Sequence, residues 1–341
     1  MAEIVLGVGS SHSPMLGTDP EHWRLRAKED VKWPAHPFRG KTYKFEELIR
    51  VRKRESLAEQ LTMDVWRERH ERNQKNLDFL ASKIADADLD ILVVIGDDQR
   101  EVFFSDNSPS FLVYNGAKVL NKKASKNQLE AMPRGVSIAQ WMNEPKEGDL
   151  EHRGAPDLAN HIVKSVMEDG FDVSVADSMP MGRFGRPGIP HAFGFFYHRL
   201  LDDFRKTPNM ATLPIFMNTF FPPNQPSAKR ALAFGKAIGR AVRSWPGNAR
   251  VGFAASGGFS HFVIDEDLDR RIMGAMEAGD EQTVVAEPES SYQSGTSEIK
   301  NWIAVMGAVA GGGLQFRIVD YVPCYRSLAG TGNANTFGLW H

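Results

Sequence analysis

The sequence predicts an α/β fold in which a mixed central sheet carries helices on both faces. Several continuous apolar runs are suited to buried strands, two further runs alternate apolar with polar residues, and helical patterns lie between them. Continuous apolar runs are typical of strands covered on both faces, whereas alternation is typical of strands nearer an edge. Strands that alternate with helices indicate a layered arrangement, and we expect a single elaborated domain over 1–341.

Each element follows from a local pattern. The expected buried strands lie at 4–8, 91–95, 111–114, 213–217 and 251–255, and the expected edge strands at 171–175 and 314–322. A long charged pattern predicts a helix over 64–83. Pro156 and Asp157 mark the start of another helix, because proline and an acid are favoured in a first helical turn. Ser227 is a suitable N-cap for a third helix, and three glycines after residue 310 end a fourth.

Two segments interrupt this pattern. The segment at about 18–65 is charged and contains Trp23 and Trp33, and the segment at about 117–154 is rich in lysine in its first half. We expect both to be ordered insertions around the domain, serving as lids, oligomer arms or pocket walls. Solvated surface structure is the alternative.

Composition excludes several classes of function. The 341 residues carry a formal net charge of −2, so the sequence lacks the basic character of a nucleic-acid-binding protein. No apolar run approaches the ~20 residues that span a bilayer, and the chain opens on a strand-like segment instead of a signal peptide. The single cysteine, Cys324, excludes an intrachain disulfide. We expect a cytoplasmic protein whose metal ligands, if any, are His, Asp, Glu or amide oxygens.

Polar residues follow three of the predicted strands at the points where the strands end. In chain order these residues are His12, then Asp97, Asp98 and Gln99, then Ser260 and His261. Ligands in open α/β sheets bind in the crevice outside the carboxyl ends of the strands. The sequence therefore predicts that these side chains converge on one site.

The residue types at this site favour metal chemistry. Non-haem Fe(II) centres use two imidazoles and one carboxylate on one face. His12 is a natural first ligand, and Glu298, at the start of a predicted helix, would supply the carboxylate. An acid stabilised by the helix dipole is the alternative reading of Glu298. A triad of Ser260, His261 and Asp97 is also open, although the G-x-S-x-G elbow of hydrolases is absent.

Several blocks resemble the class III extradiol ring-cleavage dioxygenases, the superfamily of the protocatechuate 4,5-dioxygenase catalytic subunit and of gallate dioxygenase. The similar blocks occur in the same order over nearly the whole chain: Ser10-Ser11-His12-Ser13-Pro14, Asp97-Asp98-Gln99, Pro156-Asp157-Leu158, Gly257-Gly258-Phe259-Ser260-His261, Ser297-Glu298-Ile299 and Asn333-Ala334-Asn335. The resemblance implies an enzyme that uses Fe(II) and incorporates O2 into a catecholic aromatic acid or a lignin-derived phenol by extradiol cleavage.

The resemblance also assigns site residues. It implies that His12 and Glu298 are metal ligands, that His261 is the acid–base histidine, and that His191 contacts the substrate. The family places a histidine where this chain has Gln99. We predict that Gln99 ligates through its carbonyl oxygen, a weaker donor to Fe(II) than imidazole, which would favour a harder ion such as Mn(II) or Mg(II). Replacement by a histidine from elsewhere and a damaged metal site are the alternatives. His70 and His36 are the substitutes to consider, with Asp97 and Asp98 as further donors nearby.

The remaining expectations concern the pocket and its partners. We expect a homo-oligomer, with a small second subunit as an open alternative. The candidate cations for a substrate carboxylate are Lys118, Lys122, Lys123, Arg183 and Arg186. Phe193, Phe195 and Phe259 are candidates for the apolar wall, with packing in the core as the alternative. Two other functions stay open on the same scaffold. One is a non-catalytic subunit of a heteromeric dioxygenase, and the other is a hydrolase or lyase with another divalent metal.

Overall fold

A computed structural model describes residues 1–183 and 185–341. The strands in this part of the chain are β1 (Glu3–Ser10), β2 (His36–Phe38), β3 (Lys41–Tyr43), β4 (Ile91–Gly96), β5 (Phe111–Tyr114), β6 (Lys118–Asn121), β7 (Leu150–Arg153), β8 (Ser174–Ala176), β9 (Ala211–Met217), β10 (Arg250–Ser256), β11 (His261–Val263), β12 (Phe316–Tyr325) and β13 (Thr331–Trp340).

The helices pack around these strands. They are α1 (Trp23–Asp30), α2 (Phe45–Val51), α3 (Met63–Asp86), α4 (Lys126–Ala131), α5 (Arg134–Ser137), α6 (Pro156–Glu168), α7 (His191–Phe195), α8 (Ala228–Ser244), α9 (Glu266–Glu277), α10 (Glu281–Ala286) and α11 (Ile299–Val309). A π-helical turn, Phe196–Leu200, continues α7, and a 3₁₀ turn, Ser294–Glu298, leads into α11. No helix in the described residues is long and apolar enough to cross a membrane.

The central sheet is mixed, as predicted. Within the described residues it has nine strands in the order β11-β13-β1-β10-β4-β9-β5-β8, and β12 pairs with β13. β1, β10, β4 and β9 are mutually parallel, whereas β13 is antiparallel to β1 and β5 is antiparallel to β9. Consequently the carboxyl ends of β1, β10 and β4 lie side by side.

Both faces of the sheet are covered. Along β4, Val93 and Ile95 belong to a core that includes residues of α6, α8 and α11, whereas Leu92 and Val94 belong to a core that includes residues of α3. Successive side chains of a strand point to opposite faces, so these two cores define a three-layered single domain. The predicted α/β class is confirmed.

The predicted elements fall on observed ones, although several observed elements were not predicted. All five predicted buried strands lie within β1, β4, β5, β9 and β10, and the two predicted edge strands correspond to β8 and β12. The Ser227 hydroxyl caps α8 by accepting from the Arg230 N–H. One of the elements that were not predicted is β13, although all ten of its residues are buried. Asparagine and glycine are uncommon in strands. Residues such as Asn333 and Gly338 therefore obscured the strand pattern in the sequence.

The two predicted insertions stand outside the central sheet. The segment at about 18–65 contains α1, α2 and the hairpin β2–β3, and the segment at about 117–154 contains α4, α5 and the paired strands β6 and β7. Both segments contribute residues to the wall of a cavity near the sheet ends.

Candidate metal centre and cavity

Three buried donor groups meet at the ends of neighbouring strands. His12 follows β1, Asp97 follows β4, and Glu298 ends the 3₁₀ turn before α11. One ligand atom from each lies within 4.8 Å of the others. Their exposed fractions are only 5%, 1% and 3%. A cluster with an imidazole nitrogen and two carboxylates, held away from bulk water, has the character of a divalent metal site.

Glu298 is held in place from several sides. The Gly258 N–H donates to its Oε2 at 2.8 Å, and His12 Nε2 lies 3.6 Å from the same oxygen. His261 Nε2 lies 3.3 Å from the other carboxylate oxygen. Burial alone would raise the pKa of Glu298, but His261 and His12 hold that pKa well below its ordinary value. Glu298 is therefore a carboxylate at neutral pH.

The hydrogen bonds of His12 determine which ring nitrogen is free. The Ser256 hydroxyl donates its proton to the Ala192 carbonyl at 2.6 Å. It therefore accepts from Nδ1 of His12, 3.0 Å away. The lone pair of His12 is then on Nε2, on the side of Glu298. Metal-binding histidines are commonly oriented through a hydrogen bond from their other nitrogen.

Asp97 is oriented by two amides. Gln99 Nε2 donates to Asp97 Oδ2 at 2.6 Å, and Asn301 Nδ2 lies 3.4 Å from Oδ1. Asn301 also donates to the Ser256 carbonyl at 2.7 Å. Burial and the negative charge of Glu298 raise the pKa of Asp97 to about 7. Two buried carboxylates this close together need a positive charge, which a divalent cation would supply.

Gln99 borders the same cavity, but its amide nitrogen is committed to Asp97. Its role as a ligand through the carbonyl oxygen stays a prediction, and Asp97 is the third donor in the cluster that the structure forms. His70 borders a separate cavity with His22 and Trp141, and His36 lies in β2 against Phe45. Neither substitute histidine borders the cavity of His12.

Asp98 has a different role from Asp97. Its carboxylate accepts from the backbone N–H groups of Glu101, Val102 and Phe103. These contacts close the turn after β4, which places Gln99 and Glu101 at the cavity.

The hydrogen bonds of His261 also determine which of its ring nitrogens faces the cavity. Its Nδ1 donates to the Phe259 carbonyl at 2.7 Å, so Nε2 faces Glu298 and the cavity. Burial lowers the pKa of His261, but Glu298, the Phe259 carbonyl and Asp97 together make the net shift upward. The Ser260 hydroxyl donates to Asp269 at 2.5 Å. The alternative Ser260–His261–Asp97 triad is therefore wrong, because neither Ser260 nor His261 Nδ1 makes the contacts that a triad requires.

His191 forms a pair that the sequence analysis missed. The ring Nδ1 is hydrogen-bonded to Glu101, and the His191 backbone N–H donates to the same carboxylate at 3.1 Å. The ring lies edge-on to His12, with 4.7 Å between centroids. Burial would lower the pKa of His191, but Glu101 raises it to about 9. His191 is thus held at the cavity next to the candidate metal ligands.

The cavity has a volume of about 430 Å³. Its apolar lining includes Val102, Met132, Val136, Ile189 and Phe262. Of the two readings of Phe193, Phe195 and Phe259, packing in the core is confirmed and the apolar wall is wrong, because these three side chains are fully buried in the cores and do not border the cavity. Phe193, for example, packs on Phe216 with 4.4 Å between ring centroids.

Most of the cationic side chains that were predicted to bind a substrate carboxylate already have partners within the protein. Lys118 pairs with Glu151 away from the cavity, and Arg186 pairs with Asp149. Arg183 donates to the carbonyls of Gln99 and Arg100, and Lys123 donates to those of Pro145 and Lys146.

Two cationic side chains of the cavity wall remain available to a ligand. Lys122 and Arg26 both border the cavity, and neither has an ion pair or side-chain hydrogen bond with any residue in 1–183 or 185–341. Arg26 was missed in the sequence because it lies in a strongly charged helix, α1, that resembles an ordinary surface helix.

Comparison with known families agrees with this geometry. Residues 146–337, more than half of the chain, match the family described as the catalytic LigB subunit of aromatic ring-opening dioxygenase. The matched region contains His191, His261 and Glu298, whereas His12 and Asp97 lie before it. The chain therefore belongs to the family of catalytic LigB subunits of aromatic ring-opening dioxygenases.

Proposed function

We propose that this protein is an Fe(II)-dependent extradiol dioxygenase that opens the ring of a catecholic aromatic acid or a related lignin-derived phenol with O2. Family membership supports aromatic ring opening. The observation that carries the finer proposal is the buried cluster of His12, Asp97 and Glu298 at a cavity shared with His191 and His261.

The donor atoms fit a divalent ion of this kind. His12 Nε2 and carboxylate oxygens of Asp97 and Glu298 would hold it, and Gln99 is the further donor at the cavity. Imidazole suits iron, and carboxylates suit harder ions, so Mn(II) is the second candidate. When bound, Fe(II) supplies acidification of the two catechol hydroxyls and an electronic connection between the diol and O2.

His261 is the proposed acid–base residue. Because its Nδ1 proton is fixed on the Phe259 carbonyl, Nε2 is the atom that accepts a proton from a substrate hydroxyl and later returns it. Imidazole suits both steps because its ordinary pKa lies near neutrality. The contact with Glu298 keeps Nε2 at the candidate metal centre.

His191 is the proposed substrate contact. Glu101 fixes its Nδ1 and its backbone N–H, so the ring has one orientation and its Nε2 is the nitrogen left for the substrate. The apolar lining of the cavity excludes water from the ring being opened and strengthens these polar contacts.

We also infer that the segments at about 18–65 and 117–154 are insertions whose role is to wall this cavity. Arg26 and Trp33 come from the first, and Met132 and Val136 from the second. Assembly as a homo-oligomer, or with a small second subunit, stays a prediction.

The test begins with protein purified without oxygen and loaded with Fe(II) or Mn(II). We expect tight binding of one ion per chain, O2 uptake with protocatechuate, gallate or catechol, and a yellow ring-opened product. His261→Ala should keep the metal and lose ring opening, whereas His161→Ala, on α6 away from the cavity, should keep both. Iron-loaded protein that consumes no O2 with any of these diols contradicts the proposal. If the protein binds no metal and instead assembles with a homologous subunit, the result favours the alternative of a non-catalytic subunit of a heteromeric dioxygenase.

A further inference from the structure

The cavity is larger than a single aromatic ring requires. An apolar cavity of about 150 Å³ accommodates benzene, and this one measures about 430 Å³. Two rings of that size would occupy about 300 Å³ on the same scale. The space that remains after one ring occupies the metal end is therefore sufficient for a second.

An aromatic path leads outward from the candidate metal centre. The ring of Phe262 lies 5.5 Å from that of His261, and Trp33 stacks on Phe262 with 5.6 Å between centroids and 30° between planes. Trp33 is 49% exposed although it is large and apolar. All three residues border the cavity, so the path is available to a ligand.

The other side of this outer part is also apolar. Met132, Pro133 and Val136 border the cavity at and beside α5. We call the region lined by Trp33, Phe262, Met132, Pro133 and Val136 the outer compartment. Its surfaces are suited to a flat, apolar group, because aromatic rings gain from stacking as well as from burial.

Arg26 supplies a charge at this compartment. It packs against α5, since a Cβ added at Gly135 would lie 2.8 Å from Arg26 Cδ. The nearby Arg326 is neutralised by Asp30, with contacts of 2.7 and 2.9 Å, whereas Arg26 has no such partner in the described part of the chain. Asp30 and Glu29 are close enough to act on the charge of Arg26 but do not pair with it directly. An arginine at a cavity wall without a hydrogen-bonded carboxylate is suited to an anionic ligand, and its planar fork matches a carboxylate.

We propose that the outer compartment binds a second aromatic ring of the substrate and that Arg26 pairs with a carboxylate on that ring. The preferred substrate is then a two-ring catechol acid, with the diol at the metal end and the carboxylate at Arg26. This inference rests on the proposed function and specifies its substrate class.

Binding of ligands without hydroxyl groups tests the compartment apart from catalysis. The probes are benzoate, biphenyl-4-carboxylate and biphenyl-4-carboxamide, titrated into the full-length protein by calorimetry. We expect biphenyl-4-carboxylate to bind at least 10-fold more tightly than benzoate and than the carboxamide. Equal affinities for biphenyl-4-carboxylate and benzoate would overturn the inference.

Variants assign the binding to the named residues. Arg26→Met should remove the preference for carboxylate over carboxamide, and Arg26→Lys should restore part of it. Trp33→Ala should weaken both biphenyl probes about equally. Arg54→Met, an exposed arginine outside the cavity, is the matched control and should change none of the affinities. An unchanged carboxylate preference in Arg26→Met, with native circular dichroism, overturns the role of Arg26.

A turnover experiment separates this inference from the proposed function. The Fe(II)-loaded enzyme is compared on protocatechuate and on a dihydroxybiphenyl that carries a carboxylate on its second ring. A kcat/KM at least 10-fold higher for the biphenyl supports the inference. Ring opening of protocatechuate without tight biphenyl-4-carboxylate binding overturns the inference and leaves the proposed function intact. Tight binding without opening of any diol supports the compartment and contradicts the dioxygenase.

Discussion

The hydroxyl of Ser256 accepts a hydrogen bond from Nδ1 of His12 at 3.0 Å, and this contact turns Nε2 of the ring toward Glu298. The serine has no freedom to reverse the bond, because its own proton is given to the Ala192 carbonyl. A residue on β10 thereby fixes the tautomer of the candidate metal ligand that follows β1. No sequence motif marks Ser256 for this role.

Ser256→Ala should weaken metal binding. Without the acceptor, His12 loses its orientation and its fixed tautomer, and residues that orient a ligand typically contribute 10–100-fold to metal affinity. We expect a loss of roughly 10-fold or more in Mn(II) affinity, measured by anaerobic calorimetry. Ser10→Ala is the control, because that buried hydroxyl donates to the adjacent Ser11 carbonyl. Equal affinities in wild type and Ser256→Ala would show that the contact does not orient His12.

Gln99→His tests the unusual position directly. If Gln99 ligates through oxygen, the stronger imidazole donor should tighten Fe(II) binding. If Gln99 acts by holding Asp97, the variant should bind Fe(II) no more tightly than wild type. Asp97→Asn, measured alongside, should weaken binding by more than the roughly 10–100-fold typical of orienting residues if Asp97 is a ligand. Full Fe(II) affinity in Asp97→Asn would exclude that carboxylate from the centre.

Gly295→Ala should disable His261 without removing the metal. A Cβ at this position would lie 2.3 Å from His261 Cδ2 and 2.6 Å from Nε2, so the ring must move. Because a placed acid–base group contributes roughly 10²–10⁴-fold, we expect at least a ~100-fold loss in the rate of ring opening with metal content retained. Gly274→Ala, where the added Cβ meets no atom within 4 Å, is the control. In a helix interior it should stabilise the protein by up to ~1 kcal/mol. An active Gly295→Ala enzyme would contradict the placement of His261.

Glu101→Gln should impair catalysis through His191. The carboxylate accepts from both the ring and the backbone N–H of His191 and so fixes the ring. We expect kcat to fall by about 10-fold or more, with a smaller change in KM and unchanged metal content. Glu101→Asp, which keeps the charge, should recover part of the lost rate. A change confined to thermal stability would indicate a structural role alone.

His152 should make the protein sensitive to acid. The side chain packs against Tyr197 and Phe204, and burial lowers its pKa from 6.5 to about 4. As the pH falls below 6.5, the unfolded chain takes up a proton that the folded chain does not, so stability is lost between pH 6.5 and pH 4. Between pH 7.5 and pH 5 the loss amounts to about 2 kcal/mol.

His152→Phe should abolish that part of the acid sensitivity. Urea unfolding at the two pH values measures it, as the difference between wild type and variant. His22→Phe, at an exposed position, should retain the wild-type response. The same loss of stability in wild type and His152→Phe would show that His152 is protonated in the folded protein.

The sequence was informative where one strand determines a residue's position. His12 and Asp97 follow apolar strands whose parallel ends must share an edge of the sheet, so their convergence could be predicted. Arg26 could not be recognised, because its location depends on how α1 packs against α5. Asn301 was equally hidden, since it lies in an apolar helix and contacts Asp97 and Ser256 only in the folded chain.

The inner position of β13 has a consequence for the order of assembly. This strand lies between β11 and β1, and its Asn335 accepts from Ser13, 322 positions earlier, at 2.8 Å. A nascent chain on the ribosome therefore carries His12 until residues 331–340 have been added, without the strand that completes its surroundings. A chain stalled before residue 331 has His12, Asp97 and Glu298 but lacks this strand, so we expect it to emerge without a working centre.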